Sequence, residues 1–347
     1  MTVENHFKKA SDSIVLTGSK EDLKVLLIKR KYDPYKGLWA FPGGFIENGE
    51  EADQASKREL LEETGLDLKS SKGVSLSVRK KEGRDPRGKV ESFPFLFYEA
   101  DLEKVKIVGS DDAVEAKWVP LRKIDELAFD HGAILCEALG YFWGDFFEMK
   151  GSKDLQNISL PSFLEKGRLL STDLSERVTF FGGSFNPWHK GHRACLEMCP
   201  EKNIIVVPDT NPFKLNEKGF EYKACFWKIF KQTALEMEET LYGFFPGFFG
   251  REKVNPTAKW FSKVPFSQKG LLMGDDSFLQ LETWTDSRSL LASLTHIYVA
   301  PRHFSHEEIK KKALKLGEAF PKIEIVILPN HGFQHESSTA LRKKGQF

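Results

Sequence analysis

Residues 44–66 read GFIENGEEADQASKRELLEETGL, and the second half of this stretch decides the first fold unit. From Glu51 to Glu63 there is neither Gly nor Pro, the composition is helical, and Gly65 follows as a stop signal. A helix here carries Glu59, Glu62 and Glu63 at i, i+3 and i+4, so all three carboxylates share one face. Like charges at that spacing repel and destabilise a helix unless cations sit among them. Carboxylate oxygens are hard ligands of the kind Mg²⁺ takes, usually in company with substrate phosphates. Glu59, Glu62 and Glu63 are therefore candidate metal ligands. Arg58 stands next to Glu59 and is placed to orient a carboxylate, while Gly43 and Gly44 let a loop backbone approach the metal. The alternative reading of the same residues is a solvated acidic helix face.

Working outward, residues 23–30 (LKVLLIKR), 93–98 (FPFLFY) and 115–121 (EAKWVPL) are β-rich apolar runs, and DHGAILCEALGYFW from Asp130 reads as a closing helix. Strand, loop, helix and further strands make a mixed α/β unit over residues 1–150. Residues 151–176 loosen into a Ser-, Asp-, Gly- and Pro-punctuated linker. A second α/β pattern covers residues 177–347. Its short apolar runs VTFFGG, NIIVVP, GLLMG, HIYVA and IEIVILP alternate with helical stretches, the signature of a parallel sheet with crossover helices. The Phe-rich stretch 242–256 reads as a mobile lid or as a loop packing its aromatics.

The chain has 347 residues with 51 Lys plus Arg against 50 Asp plus Glu, a formal net charge of +1. At roughly 100–200 residues per domain this length holds two domains. The balance is an average: residues 1–150 carry 24 basic and 28 acidic side chains, and the remainder carries 27 and 22. Neither half has the basic stripe of a duplex nucleic-acid binder. There is no apolar run long enough to span a membrane and no signal-peptide pattern at MTVENHFKKA, so a cytoplasmic protein is expected. Four cysteines in so long a chain are no disulfide framework, and Cys195 and Cys199, four apart, read as packing.

The complete spacing of the acidic stretch is Gly44, five residues, Glu50, seven residues, Arg58-Glu59-Leu60, one residue, Glu62-Glu63, one residue, Gly65-Leu66. It resembles the Nudix box at every defined position. The resemblance implies a Nudix α/β/α sandwich with a mixed sheet, Mg²⁺ (or Mn²⁺) held by Glu59, Glu62 and Glu63, and attack of water on a nucleoside diphosphate linked to another moiety. GRDPRGK (83–89) and the segments DDAVEAKW and LAFDHGAIL resemble the Nudix group that hydrolyses ADP-ribose. Arg84 and Arg87 then become candidate phosphate contacts, or else parts of a charged turn. Glu115 reads either as a base or as an ordinary strand-edge carboxylate.

VTFFGGSFNPWHKGH (178–192) places Gly182 and Gly183 after a strand, a turn through Ser184, Phe185, Asn186 and Pro187, and His189 and His192 at a helix start. Glycines after a strand let phosphates approach the backbone, and a helix N-terminus favours anions. Two histidine donors three apart on that turn suit the stabilisation of charge developing on a phosphate. GGSFNPxHxGH resembles the signature of the HxGH nucleotidyltransferases. With PDTNPFK, MGDDSF, Trp284, VAPR and SSTALR in order, residues 177–347 look like nicotinate-nucleotide adenylyltransferase, with a Rossmann-like parallel sheet. The resemblance implies that His189 and His192 act on the α-phosphate of ATP and that Lys214, Ser338, Thr339 and Arg342 meet phosphates. It puts Gly274 and Asp275 near the adenosine ribose and Trp284 against the pyridine. Asn186 departs from the aspartate usual in the bacterial family.

The expected protein is a bifunctional enzyme of NAD metabolism, acting on ATP, nicotinate or nicotinamide mononucleotide, and ADP-ribose, with no nucleic-acid or membrane partner. A homo-oligomer stays open. The alternatives for the first domain are hydrolysis of damaged nucleoside triphosphates or NAD, or a non-hydrolytic metabolite-sensing module.

Overall fold

The computed structural model describes residues 7–18, 23–99, 101–109, 113–142, 177–209, 225–238, 242–244, 256–262, 264 and 266–344. The expected linker 151–176, Lys214 and most of the Phe-rich stretch lie outside them.

The first unit comprises β1 (Lys8–Thr17), β2 (Lys24–Arg30), β3 (Trp39–Ala40), β4 (Gly43–Phe45), α1 (Ala52–Thr64), β5 (Val74–Ser75), β6 (Val90–Tyr98), β7 (Ala113–Pro120) and α2 (His131–Phe142). Its strands form one mixed sheet in the order β3-β2-β1-β6-β5, with β4 joined to β1 and β7 to β2. Side chains alternate across the pleat, and the two helices cover the two faces. Val15 and Leu26 pack with Leu60 of α1. Their neighbours Ile14, Leu16, Val25 and Leu27 point the other way, into the core shared with Ile134 and Leu135 of α2. The expected α/β/α sandwich is what forms. Helix α1 ends at Gly65, whose φ of 73° is the left-handed conformation that glycine adopts without a Cβ penalty.

The central strand β1 is the element that sequence reading omits, because KKASDSIVLT opens on polar residues. Lys8 and Lys9 are exposed, but Ser11, Ser13 and Thr17 are buried, and their hydroxyls are satisfied by carbonyls of neighbouring segments. Ser11 Oγ donates to Phe93 O at 2.7 Å, Ser13 Oγ to Ser56 O at 2.8 Å, and Thr17 Oγ1 to Glu99 O at 2.8 Å.

The second unit comprises β8 (Arg177–Gly183), α3 (Lys190–Met198), β9 (Ile204–Pro208), α4 (Cys225–Glu238), β10 (Gly243–Phe244), α5 (Thr257–Phe261), β11 (Gln268–Gly274), α6 (Asp275–Leu279), α7 (Ser287–Ser293), β12 (His296–Ala300), α8 (His306–Ala319), β13 (Glu324–Ile327) and α9 (Ser338–Lys343). The six strands lie in the order β10-β9-β8-β11-β12-β13, and every pairing is parallel. The order reverses between β8 and β11, so the crevice beyond their carboxyl ends is a topological switch point, where such sheets bind ligands. The glycine turn at residues 182–183 leaves β8 at that point.

Helices α2 and α4 bring the two units together. Trp227, 1% exposed, donates from Nε1 to Ile124 O at 2.8 Å. Lys231 Nζ reaches the same carbonyl at 3.0 Å and Asp125 Oδ1 at 2.8 Å. Gly132 permits the close approach, since a Cβ there would stand 2.9 Å from Trp227 Cβ. Cys136, Cys195 and Cys199 are buried free thiols, and burial raises the pKa of Cys195 and of Cys199 to about 11. Inert packing thiols were the expectation. No helix among the described residues is long and apolar enough to cross a membrane.

Candidate functional site

The acidic face of α1 lines a cavity of about 470 Å³, together with Gly43, Gly44, Asp12, Arg84, Arg87, Phe129 and His131. Arg58 is the hub of the acidic wall. Its Nε donates to Glu50 Oε1 at 2.8 Å and its Nη2 to Glu50 Oε2 at 3.0 Å. Its Nη1 reaches Glu59 Oε1 at 2.8 Å and Glu62 Oε2 at 3.1 Å. These bonds hold the Glu50 carboxyl below its ordinary pKa. Burial pushes Glu59 the other way, above the usual carboxylate value, against the pull of Arg58. Glu63, 5% exposed, accepts the Gly43 N–H on Oε2 at 2.9 Å.

Gly44 is required by geometry: a Cβ there would fall 2.2 Å from Glu59 Oε1. The loop backbone thus lies against the carboxylate. Among the described residues no group of three or more His, Cys, Asp or Glu side chains is arranged to hold a metal ion by itself. The donors still fit a hard divalent cation, because carboxylate oxygens line one wall and Mg²⁺ keeps waters and phosphate oxygens in its shell.

The opposite wall is basic, but its guanidinium groups are engaged. Arg84 is buried and bidentate on Asp130, at 2.9 Å from Nε and 2.6 Å from Nη2. Burial opposes the charge of Asp130, and Arg84, Arg79 and His131 outweigh it, so its pKa lies below the ordinary value. Arg87 chelates Asp85 through Nε and Nη2, and its guanidinium stands 5.2 Å from the ring centroids of both Phe45 and Phe129. Both arginines line the cavity as expected, but each does so as half of an ion pair.

His131 and Asp12 line this cavity, Asp130 lies behind Arg84, and none of the three was among the sequence candidates. His131 stacks on Phe41 at 4.8 Å and accepts the Phe41 N–H on Nδ1 at 2.9 Å. Burial lowers its pKa, so the ring is neutral with its proton on Nε2, facing Asp12 Oδ1 at 3.6 Å. Glu115 lies on β7, half-buried, and is paired with Lys117 at 2.9 Å.

In the second unit His189 caps α3. Its Nδ1 accepts the Gly191 N–H at 3.1 Å, and His192 Nδ1 accepts the His189 N–H at 3.2 Å. The rings stack at 3.7 Å with an interplanar angle of 25°. Burial, reinforced by Arg302 and His331, lowers the His189 pKa to about 4. At neutral pH the His189 ring is therefore neutral, with Nδ1 accepting from the backbone and its proton on Nε2. The turn before them is tight: a Cβ on Gly183 would meet the Phe185 ring at 2.9 Å, and Phe185 itself has φ 43°. Gly182 and Ser184 flank it on the end of β8 and in the turn.

The SSTALR segment docks on this turn. Ser338 Oγ donates to Pro187 O at 2.9 Å, Arg342 Nη1 donates to Asn186 O, and Arg342 Nη2 reaches Thr339 Oγ1 at 3.1 Å. Asp275 is fully buried, and its Oδ2 accepts three backbone N–H groups, from Arg302 at 2.6 Å, His303 at 2.7 Å and Phe304 at 2.9 Å. Its carboxylate fixes the turn that carries Arg302. Gly274, the residue before α6, lies beside that arginine, since a Cβ there would be 3.9 Å from Arg302 Cδ. Trp284 is partly buried against the second core.

A carboxylate-lined cavity on a mixed sandwich and a stacked histidine pair at the switch point of a parallel sheet define a Nudix domain joined to an HxGH-type nucleotidyltransferase domain. Residues 8–137 match the NUDIX domain. The chain is 43% identical over 132 residues to an ADP-ribose pyrophosphatase of Methanocaldococcus jannaschii, covering 38% of this chain and 72% of that protein. It is 31% identical over 162 residues to a probable nicotinate-nucleotide adenylyltransferase of Helicobacter pylori, covering 42% of this chain and 83% of that protein. Among solved structures it is similar to a bifunctional NMN adenylyltransferase/ADP ribose pyrophosphatase from Francisella tularensis, complexed with AMP and a manganese ion. That likeness has 30% identity and a TM-score of 0.36, and covers 40% of this chain and 42% of the Francisella chain. The chain belongs to the Nudix family through its first unit and to the nicotinate-nucleotide adenylyltransferase family through its second.

Proposed function

We propose that the chain is a bifunctional enzyme with two independent phosphate sites. Residues 177–347 would join nicotinate or nicotinamide mononucleotide to the AMP of ATP, releasing pyrophosphate. Residues 1–150 would hydrolyse the diphosphate of ADP-ribose or a related nucleotide. The observation that carries this reading is the presence, on two separate sheets of one chain, of the acidic Arg58–Glu59–Glu62 wall and the stacked His189–His192 pair.

In the transferase site, His189 and His192 offer Nε2–H donors toward an α-phosphate under in-line attack by the mononucleotide phosphate, where positioned charge stabilisation is the main catalytic task. Gly182 and Gly183 leave room for phosphates at the backbone. Arg342, Ser338 and Thr339 hold the final helix against the histidine turn, and Trp284 is the proposed pyridine contact.

In the hydrolytic site, Glu59, Glu62 and Glu63 with the Gly43 backbone would hold Mg²⁺ or Mn²⁺, and Arg58 orients the carboxylates. A divalent cation there supplies neutralisation of the diphosphate and activation of water. Glu59 is the carboxylate proposed to accept the proton of the attacking water. Arg84 and Arg87, held in place by Asp130 and Asp85, are the guanidinium groups proposed to meet the diphosphate.

The test is to incubate the purified chain with Mg²⁺, once with ATP and each mononucleotide and once with ADP-ribose, and to separate the products. Dinucleotide plus pyrophosphate, and AMP plus ribose 5-phosphate, are the expected products. A chain that hydrolyses a nucleoside triphosphate but leaves ADP-ribose intact would overturn the substrate assignment of the first unit.

A further inference from the structure

Residues 328–336, LPNHGFQHE, leave β13 and cross the histidine turn of the second unit. The approach is close: a Cβ on Gly191 would stand 3.3 Å from Phe333 O, and Lys190 Nζ lies 5.7 Å from the centroid of the Phe333 ring. The crossing segment is pinned on its other side. Gln334 Nε2 donates to Pro301 O and to Asn330 Oδ1, each at 3.0 Å, and Arg302 Nη2 donates to Glu336 O at 2.8 Å.

Within this segment His331 is oriented by its own turn. The Phe333 N–H donates to His331 Nδ1 at 3.1 Å, so the neutral ring carries its proton on Nε2. That Nε2 is shut off from solvent and has no hydrogen-bond partner among the described residues. The same is true of His189 Nε2 and Arg302 Nε. The crossing segment brings them to one place: a Cβ on Gly191 would lie 3.0 Å from the His189 ring and 3.3 Å from Phe333 O, and Arg302 is bonded to Glu336 O of the same segment. A buried donor without an acceptor carries its full desolvation penalty. Three such donors from three different elements make a site that is satisfied by an anion with several oxygens, and a polyphosphate is that anion.

We propose that His331 is a substrate-binding residue of the transferase site, donating from Nε2 to a phosphate oxygen of the nucleoside triphosphate beside Arg302. This rests on the adenylyltransferase reading above. The triphosphate is then gripped from the β13–α9 crossing as well as from the histidine pair.

Two substitutions separate substrate binding from turn capping. His331→Asn places Oδ1 where Nδ1 was and keeps the acceptor for the Phe333 N–H, but it removes the Nε2 donor. His331→Gln carries an amide N–H toward the Nε2 position and loses the turn acceptor. The expected result is that His331→Asn lowers kcat/KM for ATP by about tenfold to a hundredfold, as for loss of a hydrogen bond to a charged group. His331→Gln should recover part of that loss, and ADP-ribose hydrolysis should be unchanged in both. Wild-type kcat/KM for ATP in His331→Asn, or a deeper loss in His331→Gln than in His331→Asn, would overturn the proposal and leave a turn cap. If the wild type itself makes no dinucleotide, the adenylyltransferase reading fails instead. Calorimetric titration of Mg·ATP into wild type and His331→Asn then still decides whether His331 holds the triphosphate: weaker binding supports it, and equal binding overturns it.

Discussion

His189 and His192 stack face to face at 3.7 Å, and each turns Nδ1 to a backbone N–H. For His189 this requires a neutral ring, which burial secures down to about pH 4. In ¹⁵N-resolved spectra of the histidines, His189 should show the Nε2–H tautomer at pH 6 and begin to titrate only near pH 4. A midpoint close to the ordinary histidine value would contradict the arrangement.

Burial has a thermodynamic consequence as well. His296, hydrogen-bonded to Thr179 at 2.8 Å, has its pKa lowered to about 3, and His189 to about 4. The unfolded chain takes up these protons near pH 6.5 and the folded chain does not, so stability should rise with pH between about 4 and 6.5, by up to about 1.4 kcal/mol per pH unit for each histidine. Urea denaturation across that window should show the slope in the second unit, and His296→Gln should flatten it. A slope unaffected by the substitution would remove His296 from the account.

Gly44 tests the acidic wall by sterics alone. Its Cβ would fall 2.2 Å from Glu59 Oε1, so Gly44→Ala must displace either the loop or the carboxylate. ADP-ribose hydrolysis should fall by at least about tenfold, because displacement of catalytic groups by about an ångström carries losses of that order or greater. Dinucleotide synthesis should hold at the wild-type rate. Unchanged hydrolysis would show that Glu59 is not needed where the fold puts it.

The Arg84–Asp130 pair is 4% and 0% exposed, and removing one charge leaves the other buried without its partner. Asp130→Asn should destabilise the first unit by about 3–5 kcal/mol, measured as a shift of its unfolding midpoint. A midpoint equal to wild type would mean that water reaches Arg84 in solution.

The parts of this fold legible in the sequence are those where hydrophobic period and local chemistry agree. Residues 24–30 show an apolar run and form β2, Gly65 marks the end of α1, and the five apolar runs after residue 177 are all strands of one parallel sheet. Strand β1 was not legible, because Ser11, Ser13 and Thr17 look exposed until their acceptors on neighbouring segments are known. The histidine pair and the glutamate face were legible because a few residues of one turn or one helix define them. His131, Arg302 and His331 were not. The segments LAFDHGAIL and VAPR contain the first two without marking their roles, since their positions depend on contacts with Phe41 and Asp275, as that of His331 does on Phe333. Local reading also left open whether Arg84 and Arg87 are free. Asp130, far from Arg84 in sequence, and Asp85, two residues from Arg87, settle that both are paired.

The central claim is that one chain holds two chemically separate phosphate sites, and a crossed assay tests it most directly. Glu63→Gln keeps an acceptor for the Gly43 N–H and removes a carboxylate charge, whereas His192→Ala removes one Nε2 donor and leaves the first unit untouched. Glu63→Gln should abolish ADP-ribose hydrolysis with wild-type dinucleotide synthesis. His192→Ala should lower synthesis by about 10²–10³-fold with wild-type hydrolysis. If either substitution removes both activities while the chain stays folded, the two sites are not independent and the account is wrong.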